Sequence, residues 1–308
     1  MHKMKKLIIF GGTGYLGTNL ATKLSQKFIV SVTGRRYLSP VFMQLFKTHN
    51  ISYYKTEIKN LPMIYSLIDQ NDYVIYAVPN TQPHQVKPVF HSDLLKIIKP
   101  SEKIFEYGSK LHKRIIFLSS GGSVYGVGNS DSHSEDSKPE PIDQYGKYKL
   151  RLDKSLLSLN SKYHSNNVVL RISNPYGGTF DNHFKQGFIN SVIRNVETKN
   201  EVEIWGDGKQ IRDFIYIEDI VNLVLLILSK ESATGIFNCG TGTGHSLREV
   251  IEISERLLNS KIQVRFVDEY KENIECNILD IHKSVNYFDW HPGCDVQKTL
   301  SKLLKAKQ

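Results

Sequence analysis

The run Lys5-Lys6-Leu7-Ile8-Ile9-Phe10 leads directly into Gly11-Gly12-Thr13-Gly14-Tyr15-Leu16-Gly17. Leu7 to Phe10 is a continuous apolar stretch of the kind that forms a strand buried on both faces. Leu16–Gln26 then carries the pattern of a helix. Between them stand Gly11, Gly14 and Gly17, spaced G-x-x-G-x-x-G. Glycine lets a backbone turn tightly and approach a pyrophosphate, whose charge the following helix N-terminus stabilises. Strand, glycine turn and helix in this order predict a dinucleotide cradle, with Gly11, Thr13, Gly14, Tyr15, Leu16 and Gly17 around the cofactor. A purely structural glycine turn is the competing reading.

The alternation continues downstream. Ile29–Thr33, Tyr73–Val78 and Arg114–Ser119 are short β-rich apolar runs, with helical patterns at Met63–Asp69 and Phe90–Tyr107. Buried strands alternating with helices predict βαβ units, so the fold class is α/β with a Rossmann-type, doubly wound parallel sheet. Asn129 to Pro141 is polar and reads as an exposed loop. A helix is expected to begin near Tyr145, and Val168–Ile172 reads as a strand. Glu201–Trp205 and Ile211–Ile217 read as short strands joined by a tight turn at Gly206-Asp207-Gly208. Asp219 is placed as the cap of a buried helix through Leu228, followed by a strand at Ile236–Cys239. Gly240-Thr241-Gly242-Thr243-Gly244 reads as a plain turn, and Ser246-Leu247-Arg248-Glu249 as a capping box. The expected division is a nucleotide domain over residues 1–173 and a smaller, interleaved C-terminal substrate domain over residues 174–308. The strand near 236–240 is expected to return to the first sheet.

Composition narrows the classes. A chain of 308 residues holds one large domain or two modest ones, and its 40% hydrophobic content is that of a soluble globular protein. Cys239, Cys276 and Cys294 form no C-x-x-C pair. That pattern points to a reducing cytoplasm and away from a disulfide framework or a zinc site, so no metal is expected. The apolar run Leu7 to Phe10 is too short for a signal peptide, and the run from Ile220 to Leu228 is too short to span a bilayer. A cytoplasmic protein with no membrane partner is the expectation. The formal charge of +9 is spread over scattered lysines. It reads as a solvated surface compatible with an anionic small molecule, and not as a nucleic-acid face.

The second strand signal ends Val32-Thr33-Gly34-Arg35-Arg36. NAD-selective folds place an acid about 20 residues into the unit to bind the ribose 2′-hydroxyl. Two arginines stand here instead, and a guanidinium matches a 2′-phosphate in shape and charge. NADP(H) is therefore expected, with NAD(H) the alternative if both arginines are solvated loop residues. Tyr145 is the only one of the 16 tyrosines with a lysine four residues later, at Lys149. On a helix that spacing puts both side chains on one face. A tyrosine with its usual pKa of about 10 is a poor base at neutral pH. An ammonium beside it, with an oxidised nicotinamide nearby, favours the phenolate. An exposed amphipathic pair is the bland alternative.

Further residues carry a family resemblance. They are Ser119-Ser120-Gly121-Gly122-Ser123-Val124-Tyr125-Gly126, Asn174-Pro175-Tyr176-Gly177, Trp205-Gly206-Asp207-Gly208 and Arg212-Asp213-Phe214-Ile215, with Asp280 and Asp289-Trp290-His291-Pro292 near the end. With Gly11–Gly17 and Tyr145/Lys149, they resemble the extended short-chain dehydrogenases/reductases, specifically the nucleotide-sugar epimerase, dehydratase and reductase group. The resemblance covers nearly the whole chain. It implies that Asn174 and Arg212 contact a nucleotide diphosphate and that Pro175 lies by the nicotinamide. The expected cofactor contacts also include Glu57, Ile58 and Ala77, with Tyr145 and Lys149. Two positions depart from the family. Its catalytic Ser or Thr falls at Gly121 here, so Ser123 or Ser120 is expected to supply the hydroxyl. Its C-terminal phosphate-binding arginine is absent, and Lys271 is the replacement.

The expected function is an NAD(P)H-dependent reductase of a nucleotide-activated 4-keto-6-deoxyhexose, supplying deoxysugars for surface polysaccharide such as lipopolysaccharide. The alternative is a nucleotide-sugar 4-epimerase of the UDP-glucose type. A dehydratase is disfavoured because those enzymes carry an Asp-Glu pair where Gly122-Ser123 stands. A non-catalytic NAD(P)-sensing regulator is the reading from a different class, and the intact Tyr–Lys pair speaks against it. The resemblance also implies a homodimer formed through a four-helix contact that includes the Tyr145 helix.

Overall fold

The computed structural model describes residues 4–78, 91–126, 132–178, 187–268, 274–293 and 295–305, of which 91–95 by backbone alone. They group into two compact units. Unit 1 is Met1–Ser119, Gln144–Arg171 and Val224–Phe237; unit 2 is Ser120–Asp143, Ile172–Leu223 and Asn238–Gln308. Residues 120–143 therefore group with the C-terminal part and residues 224–237 with the N-terminal part, where the sequence division had one main break after residue 173. The crossings after Ser119, Arg171 and Phe237 fall near the carboxyl ends of sheet strands.

Unit 1 opens with β1 (Lys6–Phe10), α1 (Tyr15–Leu24), β2 (Ile29–Gly34), α2 (Pro40–Thr48) and β3 (Ser52–Lys55). It continues through α3 (Leu61–Asp69), β4 (Tyr73–Tyr76), α4 (His91–Lys110) and β5 (Arg114–Ser120). After α5 (Gly121–Val124), which belongs to unit 2, the long α6 (Gln144–Tyr163) and β6 (Val168–Ile172) follow. The α2 and β3 elements were not anticipated: Pro40 at the first turn starts α2, and β3 is only half-buried, so it lacks a continuous apolar run. The seven-stranded sheet has the order β10-β6-β5-β4-β1-β2-β3, where β10 is Gly235–Cys239. β3, β2, β1, β4 and β5 pair in parallel. This is the order of a doubly wound dinucleotide-binding sheet, with the direction of winding reversing at β1. Ile8, Phe10, Val74, Tyr76, Ile115 and Phe117 alternate into a core shared with α3, α4 and α6. The 224–237 segment is tied in by Arg114, which donates to the carbonyls of Lys230 and Ala233 at 2.8 and 3.0 Å.

Unit 2 contains β7 (Asn174–Tyr176), α7 (Phe188–Thr198), β8 (Val202–Trp205), β9 (Ile211–Tyr216) and the start of α8 (Ile217–Ser229). Beyond β10 come β11 (Gly244–Ser246), α9 (Leu247–Leu258), β12 (Val264–Val267), β13 (Cys276–Asn277), α10 (His282–Phe288) and α11 (Val296–Lys305). β9 is the hub of a small sheet: β7 and β13 pair with it in parallel and β11 antiparallel. β8 and β12 form a separate parallel pair. Ser246 caps α9, its Oγ accepting from the Glu249 N–H at 3.0 Å. The Glu249 carboxylate turns to His245. Asp219 lies inside the first turn of α8 and not before it, because the helix begins at Ile217. Its Oδ1 instead accepts from the Gly293 N–H at 3.0 Å. Among the described residues no helix is long and apolar enough to cross a membrane.

Candidate active site

The glycine turn in unit 1 is tight for steric reasons. Gly11 has φ +83°, and a Cβ there would lie 2.9 Å from the Ala77 carbonyl oxygen. At Gly17 a Cβ would lie 2.3 Å from the Gly11 carbonyl oxygen. Side chains at these positions would strike that backbone, so the glycines let the ends of β1 and β4 and the start of α1 approach closely. Thr18 Oγ1 donates back to the Gly12 carbonyl at 3.1 Å. The N-terminus of α1 has no side-chain cap and no acid in its first turn. A helix N-terminus with this local charge favours an anion such as a pyrophosphate. Thr13 packs against Gly34, immediately before Arg35. The expected contacts Gly11, Thr13, Gly14, Gly17 and Ala77 are thus brought together, and they fit a dinucleotide. Tyr15 is buried in the α1 packing and Leu16 is half-buried.

Arg35 and Arg36 are exposed beyond the end of β2. Tyr53 donates its hydroxyl to the Arg36 carbonyl. Lys59, and to a smaller extent Arg35, hold the exposed Glu57 carboxyl below its usual range. Ile58 packs on the unit 1 core.

Tyr145 and Lys149 lie in the first turns of α6. Tyr145 is half-buried; Lys149 is 3% exposed. The Lys149 Nζ donates to the Leu118 carbonyl on β5 at 2.8 Å, and lies 4.7 Å from the Phe117 ring centre and 5.6 Å from the Tyr145 ring centre. Burial pushes the ammonium down to about 7, and Asp153 acts against that shift. The pair is therefore no solvated stripe: the lysine is fixed beneath the tyrosine.

In unit 2, Ser120 precedes the short α5 and is half-buried, whereas Ser123 is buried. The family hydroxyl has no room at residue 121. A Cβ on Gly121 would lie 2.6 Å from Leu279 Cδ1, and Leu279 is itself buried. The nearest tertiary atoms to a Cβ on Gly122 would be Ser120 Oγ and Asn174 Oδ1 at 3.9 Å and Asn174 Nδ2 at 4.0 Å. Ser120 and Asn174 thus flank the same position, at van der Waals distance from where that Cβ would lie. Asn174 is fixed by donating to the Asp213 carbonyl at 2.9 Å. Pro175 follows on β7, half-buried. Arg212 on β9 is half-buried, its Nη1 donating to the Ile211 carbonyl at 2.8 Å, and burial lowers its pKa to about 10. Lys271 lies outside the described residues.

Two organising residues escaped the sequence reading. Asp213 is fully buried and accepts from Thr241 N–H and Oγ1 at 2.9 and 2.8 Å, from Gly242 N–H at 3.3 Å and from Leu279 N–H at 3.3 Å. Burial raises its pKa while those donors pull it down. Gly240-Thr241-Gly242 is thus a loop wrapped on this carboxylate. Asn238 accepts from the Tyr125 hydroxyl at 2.7 Å and donates to the His133 and Asp280 carbonyls at 2.8 and 2.9 Å. The only sequence signals were Asp213 beside Arg212 and Tyr125 in Val-Tyr-Gly.

The chain is 28% identical over 97% of its length to the dTDP-4-dehydro-6-deoxyglucose reductase of Escherichia coli, covering 96% of it. It is 26% identical over 92% of its length to the UDP-glucose 4-epimerase of Bacillus subtilis, covering 91% of that protein. The crystal structure of a UDP-glucose 4-epimerase from Thermotoga maritima, with UDP-glucose, has the same fold: TM-score 0.86 at 23% identity, covering 97% of each chain. Residues 7–240 match the family described as the NAD dependent epimerase/dehydratase family. The chain is an enzyme of that family, of the extended short-chain dehydrogenase/reductase type.

Proposed function

We propose that the enzyme is an NADP(H)-preferring reductase of a nucleotide-activated 4-keto-6-deoxyhexose, such as a dTDP-linked one, in deoxysugar supply for surface polysaccharide. The observation that carries the reductase reading is the exposed Arg35–Arg36 pair at the end of β2, where no acid is present for a ribose 2′-hydroxyl. The similarity to the Escherichia coli reductase supports it. When bound, the nicotinamide supplies the hydride for C4. Tyr145 donates the proton to the C4 oxygen, and Lys149 favours the resulting phenolate. A serine hydroxyl polarises the carbonyl; of the two candidates, the half-buried Ser120 lies beside Asn174 at the Gly122 position, while Ser123 is buried. Arg212 binds the diphosphate as a charge-assisted donor, with Asn174 and Lys271. Unit 1 is the cofactor unit and unit 2 the sugar-nucleotide unit of a cytoplasmic homodimer.

The second reading is an NAD-dependent nucleotide-sugar 4-epimerase, favoured by the NAD-dependent character of the family and by the epimerase relatives. A reductase consumes one cofactor per sugar and must release it; an epimerase returns the hydride to the same sugar. The expected result is cofactor-poor protein that oxidises NADPH stoichiometrically with a dTDP- or GDP-4-keto-6-deoxyhexose. Retained NAD, UDP-glucose/UDP-galactose interconversion and no net NADPH consumption would establish the epimerase instead.

A further inference from the structure

Asp153 and Arg171 are charged and sealed in unit 1, 1% and 2% exposed, and the chemistry above uses neither. Arg171 Nε on β6 donates to Asp153 Oδ2 on α6 at 3.0 Å. Replacing such a pair by apolar side chains often costs nothing or stabilises, so its presence is not explained by stability. Its position is informative. Asp153 is one helical turn beyond Lys149, and both belong to the buried face of α6. Lys149 is in turn one turn beyond Tyr145. The axis Tyr145, Lys149, Asp153 thus runs down one face of a single helix into the core and ends on Arg171.

We propose that Asp153, anchored by Arg171 and one turn along the same buried face of α6, is a positioning residue for Lys149: its carboxylate is the counter-charge to the buried ammonium beneath the Tyr145 ring. The importance of that charge rests on the proposed roles of Tyr145 and Lys149; the electrostatic link itself does not. The groups facing the lysine support the assignment. From β5 come the neutral Leu118 carbonyl and the Phe117 ring, and from α6 the Tyr145 ring. Asp153 works against the burial that drives the ammonium to shed its proton. Arg171, which stays protonated, and Ser119 oppose the rise that burial imposes on Asp153. Arg171 therefore works against protonation of the carboxylate, and the carboxylate works against loss of the Lys149 proton.

The test needs no substrate. Lys149 binds its proton less tightly in the folded chain, about 7, than at its ordinary 10.5. Between those values the unfolded chain holds more protons, so this group makes stability rise with pH across that window. Thermal unfolding of the full-length protein is measured from pH 6 to 9 for wild type, Asp153→Asn, Lys149→Met and the double variant. Loss of the carboxylate lowers the folded-state pKa of Lys149, so the rise in Tm begins at lower pH in Asp153→Asn. Lys149→Met lacks this component, and adding Asp153→Asn to it removes only Asp153's own titration, whose contribution to stability falls with rising pH and produces no earlier rise in Tm. Should Arg171, stripped of its partner, prevent folding, Asp153→Leu with Arg171→Met removes both charges and is measured in both backgrounds. An unshifted onset with Lys149 present overturns the proposal. So does an equal shift with Lys149→Met, because Asp153 would then act on some other group. Either result leaves the reductase reading untouched, and failure of that reading leaves this link standing.

Discussion

The two units place their decisive polar groups differently. In unit 1 the cradle is built from near neighbours: Gly11, Thr13, Gly14 and Gly17 lie within one strand-turn-helix, and Tyr145 and Lys149 within one helical turn. In unit 2 the organiser is a single buried carboxylate. Asp213 gathers donors 28, 29 and 66 residues away in sequence, from Thr241, Gly242 and Leu279. The first kind of site is encoded by spacing, because backbone geometry fixes who meets whom. The second is encoded by burial, since a sealed charge must find donors wherever the fold brings them.

The largest expected effect breaks the unit 1 side. Tyr145→Phe removes one hydroxyl from a half-buried ring and leaves the cradle intact. Turnover is expected to fall at least about 100-fold, the lower range for general acid–base catalysis, while dinucleotide affinity stays close to wild type. Near-normal kcat would take Tyr145 out of the chemistry and leave the Tyr–Lys spacing as a structural accident.

Arg212→Ala carries the comparison into unit 2. Loss of a charge-assisted contact to a diphosphate costs about 1.5–3 kcal/mol, read as a raised KM for the sugar nucleotide with cofactor affinity unchanged. An unchanged KM would return Arg212 to a structural role on β9.

Asp213→Asn separates organisation from contact. The amide puts an NH2 group where a carboxylate oxygen accepts, so at least one buried N–H is left without an acceptor, at about 1–3 kcal/mol. Denaturant unfolding should show that loss, and the sugar nucleotide should bind more weakly. Dinucleotide titration should change far less. Equal losses for both ligands would erase the distinction between a local and a gathered site.

The same distinction explains what the sequence revealed. Val168–Ile172 was read at its observed limits, and α1, β2 and β5 nearly so, because each is a sealed apolar run or a periodic helix. β3 was missed because Ser52 and Lys55 are exposed and its tyrosines only half-buried. β13 is two residues long and exists only through pairing with β9, which no local pattern encodes. The absence of the family hydroxyl at Gly121 was visible in the sequence, but its compensation was not. Leu279 lies 158 positions away (279 less 121) and fills that space. The pairing of Asp153 with Arg171 was equally silent, since β6 alone sets who faces α6.

The smallest change concerns two adjacent glycines. Gly121 is required by packing: the buried Leu279 stands 2.6 Å from any Cβ there, and overpacking of this kind costs about 1–3 kcal/mol. Gly122 is not so required, since the nearest tertiary atom to its Cβ would lie at 3.9 Å. Alanine in a helix is favoured over glycine by up to about 1 kcal/mol, so the fold alone would prefer a side chain at 122. The space it would fill is bordered by Ser120 and Asn174, which both belong to the proposed sugar-nucleotide site. Gly121→Ala should therefore lower Tm. Gly122→Ala should keep or raise it, while KM for the sugar nucleotide increases and dinucleotide affinity holds. A Gly122→Ala enzyme with wild-type KM would show that the sugar does not enter this space, and would move the search for its pocket elsewhere in unit 2.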